Sequence, residues 1–174
     1  MFLPEEYPEE AVRRFLCDAM LGGLAKWLRA AGHDAYYARE GTDISDAHLV
    51  RVAIAEGRTL LTSDRGFLER KPVRDGEVAF LLVPDAPVER QLRLVAEEFG
   101  LERRPSRCTG CNGVLEKVPQ EAVDGSVPPR VAEGQEDFFS CGGCGRVFWH
   151  GSHWDRIGDR LRRVFGRSST ALGA

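Results

Sequence analysis

Four of the five cysteines fall in two C-x2-C pairs, Cys108/Cys111 and Cys141/Cys144, with 29 residues between the pairs. A glycine lies between or beside the cysteines of each pair, in C-T-G-C-N-G and C-G-G-C-G. Glycine lets the backbone fold tightly enough for both thiolates to reach one ion. Zn²⁺ takes four such sulfurs tetrahedrally, and a full set leaves no open position, so the spacing predicts a structural zinc ribbon. His150 and His153, in W-H-G-S-H-W, could replace a cysteine as ligand, but four sulfurs suffice and surface or hydrogen-bonding roles are simpler. The fifth cysteine, Cys17, stands alone. A cytoplasmic location is expected by default, and in a reducing compartment two matched pairs favour a metal over disulfides.

A second chemistry lies in the carboxylates. Asp18 follows the apolar run Phe15-Leu16-Cys17, and Asp64 follows R-T-L-L-T-S. Asp46 opens a helical pattern. Each alone has the simpler explanation of a helix cap. Together they fall where strands of a parallel sheet end, which places them along one edge. Clustered carboxylates repel unless a cation neutralises them. Mg²⁺ or Mn²⁺ suits such an oxygen-lined site, and metals so held support phosphodiester hydrolysis. Asp18, Asp46 and Asp64 are therefore the candidate catalytic and metal-binding residues. Asp43 is a further possible ligand, Asp85 is most simply a cap, and Thr62 precedes Asp64 by two, on the same face of its strand.

Cations accompany the acids. Asp18, Gly22, Lys26 and Arg29 step by four, four and three, the spacing of one helical stripe. Lys26, Arg29 and Arg65 are candidate contacts for a substrate phosphate, with Gly22 leaving room beside the acid. Ordinary solubilising charge explains them equally.

The elements that must position these residues alternate. A strand over Val12–Cys17 runs into a helix whose face is Met20, Leu21, Leu24, Trp27, Leu28 and Ala31, and Gly32 ends it. His33–Ala38 is a second strand, and Asp46–Glu56 a helix stopped by Gly57. Arg58–Ser63 is the third strand, Arg65–Glu69 a short helix, and Glu77–Val83 the fourth strand. A helix with Val88, Leu92, Val95, Ala96 and Phe99 on one face follows. The pattern predicts an α/β fold with a parallel sheet covered on both sides. After Pro105 to Arg107 the pattern changes to short β-like runs punctuated by Gly, Pro and Cys. The expected domains are 11–104 and 105–167, the second being the ribbon with a C-terminal helix, and 1–10 and 168–174 are expected to be flexible. In that helix Trp154, Ile157, Leu161, Val164 and Phe165 form an apolar stripe, with Arg156, Arg160, Arg163 and Arg167 on another face. The arginines are either a solvated face or a track for phosphates. Phe148, Trp149 and Trp154 suit a ribbon core or a surface on which bases stack.

The chain has 174 residues and a net charge of −3, so overall charge does not advertise nucleic acid, and any such contact would be local. No apolar run approaches the roughly 20 residues of a membrane helix, and the acidic N-terminus is no signal peptide.

The blocks F-L-C-D-A-M-L-G-G-L-A-K-W-L-R-A-A-G-H-D, S-D-A-H-L and E-G-R-T-L-L-T-S-D-R resemble the Mut-seven-C ribonuclease domain family, as do C-T-G-C-N-G-V-L and C-G-G-C-G-R-V-F-W-H-G-S-H. The resemblance runs from about Arg14 to Trp154. It implies a PIN-like three-layer α/β/α domain followed by a zinc ribbon, and a metal-dependent ribonuclease acting on RNA. Asp18 and Asp64 carry over as acidic site residues, Asp46 less directly. Ser63 stands where the family commonly has a basic residue, in T-R-D-R. The expected partners are RNA, including tRNA or ribosomal RNA, and no membrane. The other reading is a non-catalytic RNA- or ribosome-binding protein on the same fold.

Overall fold

The computed structural model describes residues 13–123 and 125–166. Val12, both expected flexible termini, Arg167 and the side chain of His153 lie outside the described residues. Four parallel strands, β1 (Arg14–Cys17), β2 (Asp34–Tyr37), β3 (Arg58–Thr62) and β4 (Phe80–Leu82), form one sheet in the order β2-β1-β3-β4. The helices are α1 (Gly22–Ala30), α2 (Asp46–Glu56), the short α3 (Lys71–Arg74) and α4 (Val88–Phe99), with 3-10 turns at Ala38–Glu40 and Arg65–Glu69.

Alternation along the strands builds two cores, because successive side chains point to opposite faces. Phe15, Cys17 and Leu61 face Leu24, Leu28, Leu92 and Val95 of α1 and α4. Leu16 and Leu60 face Leu49, Val50 and Ala53 of α2, with Phe67 from the second 3-10 turn. The result is a parallel sheet between helical layers. Gly57 and Gly100 close α2 and α4 in the left-handed conformation, at φ 62° and 60°.

The second unit is an antiparallel sheet of β5 (Leu115–Val118), β6 (Phe138–Cys141) and β7 (Val147–Trp149). The stretch between β5 and β6 holds a 3-10 turn at Gln120–Val123 and the helix α5 (Pro129–Gly134), neither expected. It packs Val123 and Val127 over Phe138, with Val147 and Trp149 alongside, so Trp149 belongs to the small core.

The last helix, α6 (Ser152–Phe165), packs back on the first unit. Its Leu161 is fully buried in the first core, and Ile157, Val164 and Phe165 pack against that core. From Ile157 onward the amphipathic stripe therefore covers the α/β unit, while Trp154 lines a groove with Val147, Phe148 and Trp149, and the ribbon is an excursion between α4 and α6. No helix among the described residues is long and apolar enough to cross a membrane.

Candidate functional site

Strand order reverses between β1 and β3. The chain leaves β1 toward one neighbour, β2, and later returns to its other side as β3. Ligands in open α/β sheets sit outside the carboxyl ends of strands at such a switch point. Asp18 and Thr62 lie side by side there: the ladder runs Cys17 against Leu61, and the Asp18 N–H continues it to Leu61 O at 3.0 Å.

One hydroxyl joins the two acids. Thr62, fully buried, donates from Oγ1 to Asp18 Oδ2 at 2.7 Å and accepts the Asp64 N–H at 2.9 Å. A hydroxyl has one proton, so accepting from Asp64 leaves that proton for Asp18. The other oxygen of Asp18 accepts the Ala19 N–H at 2.5 Å, and the residue is 7% exposed. Asp64 is exposed and caps the turn at Arg65–Glu69, accepting the Gly66 N–H at 2.7 Å. Cap and site candidate thus coincide in Asp64.

The remaining expected residues are placed less uniformly. Asp46 begins α2, half-exposed, and its carboxylate accepts Arg70 Nη2 at 2.8 Å. Asp43 accepts the Ser45 N–H at 2.8 Å, just ahead of α2. Asp85 does not cap α4, which starts from Pro87 with no side-chain cap. Lys26 and Arg65 are exposed. Arg29 is not available to a substrate: it is 1% exposed, donating to Ala35 O at 2.8 Å and to both oxygens of Glu40 at 2.8 and 2.7 Å. The helix also starts later than expected. Residues 19–21 form a turn closed by the Leu21 N–H to Asp18 O at 2.8 Å, so Asp18 is off the α1 stripe. Gly22 leaves room for Tyr37 rather than a substrate, since a Cβ there would lie 2.7 Å from Tyr37 Cζ. Tyr37 and Arg39, unremarked in the sequence, both donate to Ala19 O, at 3.0 and 3.2 Å, and hold the turn beside Asp18. Their signal was Y-Y-A-R at the end of a strand on the same sheet edge.

The cysteines do converge. Cys108, Cys111, Cys141 and Cys144 keep their sulfurs within 4.8 Å of one another, the group among the described residues that could hold a metal with three or more ligands. Cys108–Cys144 and Cys111–Cys141 are 3.7 and 3.3 Å apart. Tetrahedral zinc with bonds of about 2.3 Å needs edges of roughly 3.8 Å, so the set fits. The two loops match in form. Asn112 and Gly145, each just after its second cysteine, have φ of 67° and 70°. A Cβ on Gly113 would meet Cys141 Sγ at 2.6 Å, so glycine is required where the backbone passes the sulfurs. Burial raises the Cys141 thiol, but hydrogen bonds from Cys111 and from the Cys144 and Gly143 backbone outweigh it and bring its pKa down to about 7. Cys17 differs: burial pushes it up to about 12, the state of an inert core thiol.

Of the expected arginine track, Arg160 and Arg163 lie 3.5 and 3.1 Å from Glu89 of α4, and Arg156 donates to Ser152 O at 3.2 Å.

Comparison with known proteins adds two findings. The family model described as the Mut7-C RNase domain matches residues 13–161. The human protein named exonuclease mut-7 homolog is 24% identical over 225 aligned residues, covering 86% of this chain and 26% of that protein. The chain thus spans about a quarter of that relative's length.

Proposed function

The chain belongs to the Mut7-C RNase domain family, and we propose that it is a metal-dependent ribonuclease with a PIN-like fold. The observation that carries this reading is the Asp18–Thr62–Asp64 link at the switch point of the sheet. The Thr62 hydroxyl orients the Asp18 carboxylate and anchors the Asp64 backbone N–H, and the two carboxylates offer hard oxygen donors of the kind Mg²⁺ and Mn²⁺ take. Asp18 and Asp64 would hold the cation, with Asp46 as third ligand once its carboxylate turns from Arg70. When bound, such a cation lowers the pKa of water and neutralises charge on a phosphodiester. The chain's own contribution is orientation. Thr62 orients the Asp18 carboxylate and anchors the Asp64 backbone, the Gly66 N–H holds the Asp64 carboxylate, and Tyr37 and Arg39 hold the turn that follows Asp18. Lys26 and Arg65, exposed in α1 and beside Asp64, would receive the phosphate of RNA. The four cysteines would hold zinc and let the ribbon help bind RNA, with tRNA and ribosomal RNA as structured candidates. Unpaired cysteines are consistent with a cytoplasmic setting.

The test is cleavage of single-stranded and structured RNA with Mn²⁺ by wild type and Asp18→Asn. Cleavage by wild type and a loss of about a hundredfold or more in the variant are expected. Equal cleavage by both would end the assignment. The pairing of Asp46 with Arg70 favours the other reading, a non-catalytic RNA-binding protein, and binding without cleavage in any divalent metal would select it.

A further inference from the structure

Ala35 lies in β2, an edge strand, and both of its outward backbone groups are taken by side chains. Its N–H donates to Asn112 Oδ1 at 3.1 Å, and its carbonyl accepts Arg29 Nε at 2.8 Å. An open edge is otherwise a row of unpaired donors and acceptors. Asn112 sits in the first cysteine loop, one residue after Cys111, in the left-handed conformation that glycine adopts without strain. What asparagine adds there is its carboxamide, which also donates from Nδ2 to Asp34 Oδ1 at 2.7 Å. The same loop turns the Thr109 carbonyl toward Arg29 Nη1, at 3.2 Å. Next to it, the Arg107 N–H and Ser106 Oγ donate to the last carbonyls of α1, Arg29 O at 2.8 Å and Ala30 O at 2.7 Å.

Arg29 connects this seam to the other end of the strand. Its guanidinium grips Glu40 in the 3-10 turn that follows β2. That turn and the end of β2 supply Arg39 and Tyr37, which hold Ala19 next to Asp18. We propose that Asn112 and Arg29 form a metal-dependent latch, in which the filled cysteine site holds the Cys108–Cys111 loop in the shape that caps β2. Loss of the metal frees the loop, opens the β2 edge and loosens the turn after Asp18. Asn112 and Arg29 are positioning residues in this scheme. The scheme stands apart from ribonuclease chemistry and holds whether or not the acids cut RNA.

Amide exchange of the full zinc-loaded chain, followed residue by residue by NMR, tests it. The probes are the Ala35 amide, the Leu21 amide that closes the Asp18 turn, and the Leu60 amide, bonded to Ala79 O inside the sheet, as control. Asn112→Gly keeps the left-handed backbone and removes only the carboxamide. Loaded with Co²⁺, it should show the four-thiolate absorption spectrum of wild type. Loaded with zinc, its Ala35 amide should exchange roughly tenfold faster, the worth of one hydrogen bond, with Leu60 unchanged. Chelation of wild type should speed Ala35 at least as much and Leu21 in the same direction. Ala35 exchange within about twofold of wild type in loaded Asn112→Gly would overturn the latch, as would unchanged Ala35 exchange after chelation. Unchanged Leu21 exchange would overturn its extension to the acid-bearing turn. If chelation speeds Leu60 as well, the chain has unfolded as a whole, and the loaded Asn112→Gly protein alone decides.

Discussion

Thr62→Val isolates the hydroxyl that ties the two acids together. Valine has nearly the same shape, so no cavity forms; what goes is one donor and one acceptor. The lost donor served Asp18, a carboxylate only 7% exposed, at 2.7 Å. A hydrogen bond to a charged group contributes about 1.5–3 kcal/mol, more than a neutral one. The lost acceptor served the Asp64 N–H at 2.9 Å, a bond between neutral groups worth about 1 kcal/mol. The expected cost is therefore about 2–4 kcal/mol, a large part of a typical stability of about 5–15 kcal/mol. Urea unfolding at neutral pH measures it, as a lower midpoint with an unchanged slope. Thr62→Ser keeps the hydroxyl and loses one buried methyl, about 0.8 kcal/mol, so it should be the milder change. A double-mutant cycle with Asp18→Ala should return a coupling of about 1 kcal/mol or more. Thr62→Val within about 0.5 kcal/mol of wild type, or Thr62→Ser worse than Thr62→Val, would mean that the hydroxyl does not stabilise Asp18 and the Asp64 N–H.

Three further outcomes follow from the packing. Burial, reinforced by the charge of Arg104, lowers the His33 pKa from 6.5 to about 4. The unfolded chain takes this proton first, so stability is full above about pH 6.5 and falls until about pH 4, by about 2 kcal/mol between pH 7 and 5; His33→Gln should flatten that slope in urea titrations at both pH values. Leu161→Ala should cost about 2–5 kcal/mol, because this fully buried side chain holds α6 on the first core. Glu89→Gln, which loosens two exposed arginines, should cost less than about 1 kcal/mol in the same assay, and a reversed order would mean that ion pairs dock the helix. Gly22→Ala drives a Cβ into Tyr37 and should cost about 1–3 kcal/mol in thermal unfolding, with partial relief from Tyr37→Phe.

What was legible in the sequence is what alternation and local spacing determine. Apolar runs at β1 and β3 read as buried strands because both faces of a parallel sheet are covered, and strand direction then puts Asp18 and Asp64 on one edge. Matched C-x2-C pairs carry their geometry in their spacing. Arg29 shows where local reading ends. It follows Lys26 by three residues, about 60° around the helix, so a wheel draws them on one stripe. Lys26 faces solvent, while Arg29 falls under a loop that begins 80 positions later. Helical periodicity tells that a face exists, not which distant segment covers it. The start of α1 was misread for a related reason: the Asp18 side chain is committed to Thr62, 44 residues away, and the turn at 19–21 accommodates that bond. Asn112 gave no local sign beyond its place after a cysteine, because its partners, Asp34 and Ala35, belong to another unit.

The cysteine loop meets β2 at Asp34 and Ala35, which pair with Arg14 and Phe15 at the amino end of β1. Asp18 lies beyond the carboxyl end of that strand, three residues on from Phe15, or roughly 10 Å at about 3.3 Å per residue. The cysteine loop therefore contacts the opposite end of the strand from the acids, and an effect on them would pass through the chain, along β2 or α1, or through a bound RNA that spans the gap. The chain allows the first path through Arg29 and Glu40. The second requires a polymer, since a mononucleotide held on the ribbon could not also lie at Asp18. Cleavage that falls steeply as RNA is shortened to one or two nucleotides, with wild-type zinc content, would identify the spanning substrate; equal turnover of the shortest fragments would leave β2 and α1 to connect the two sites.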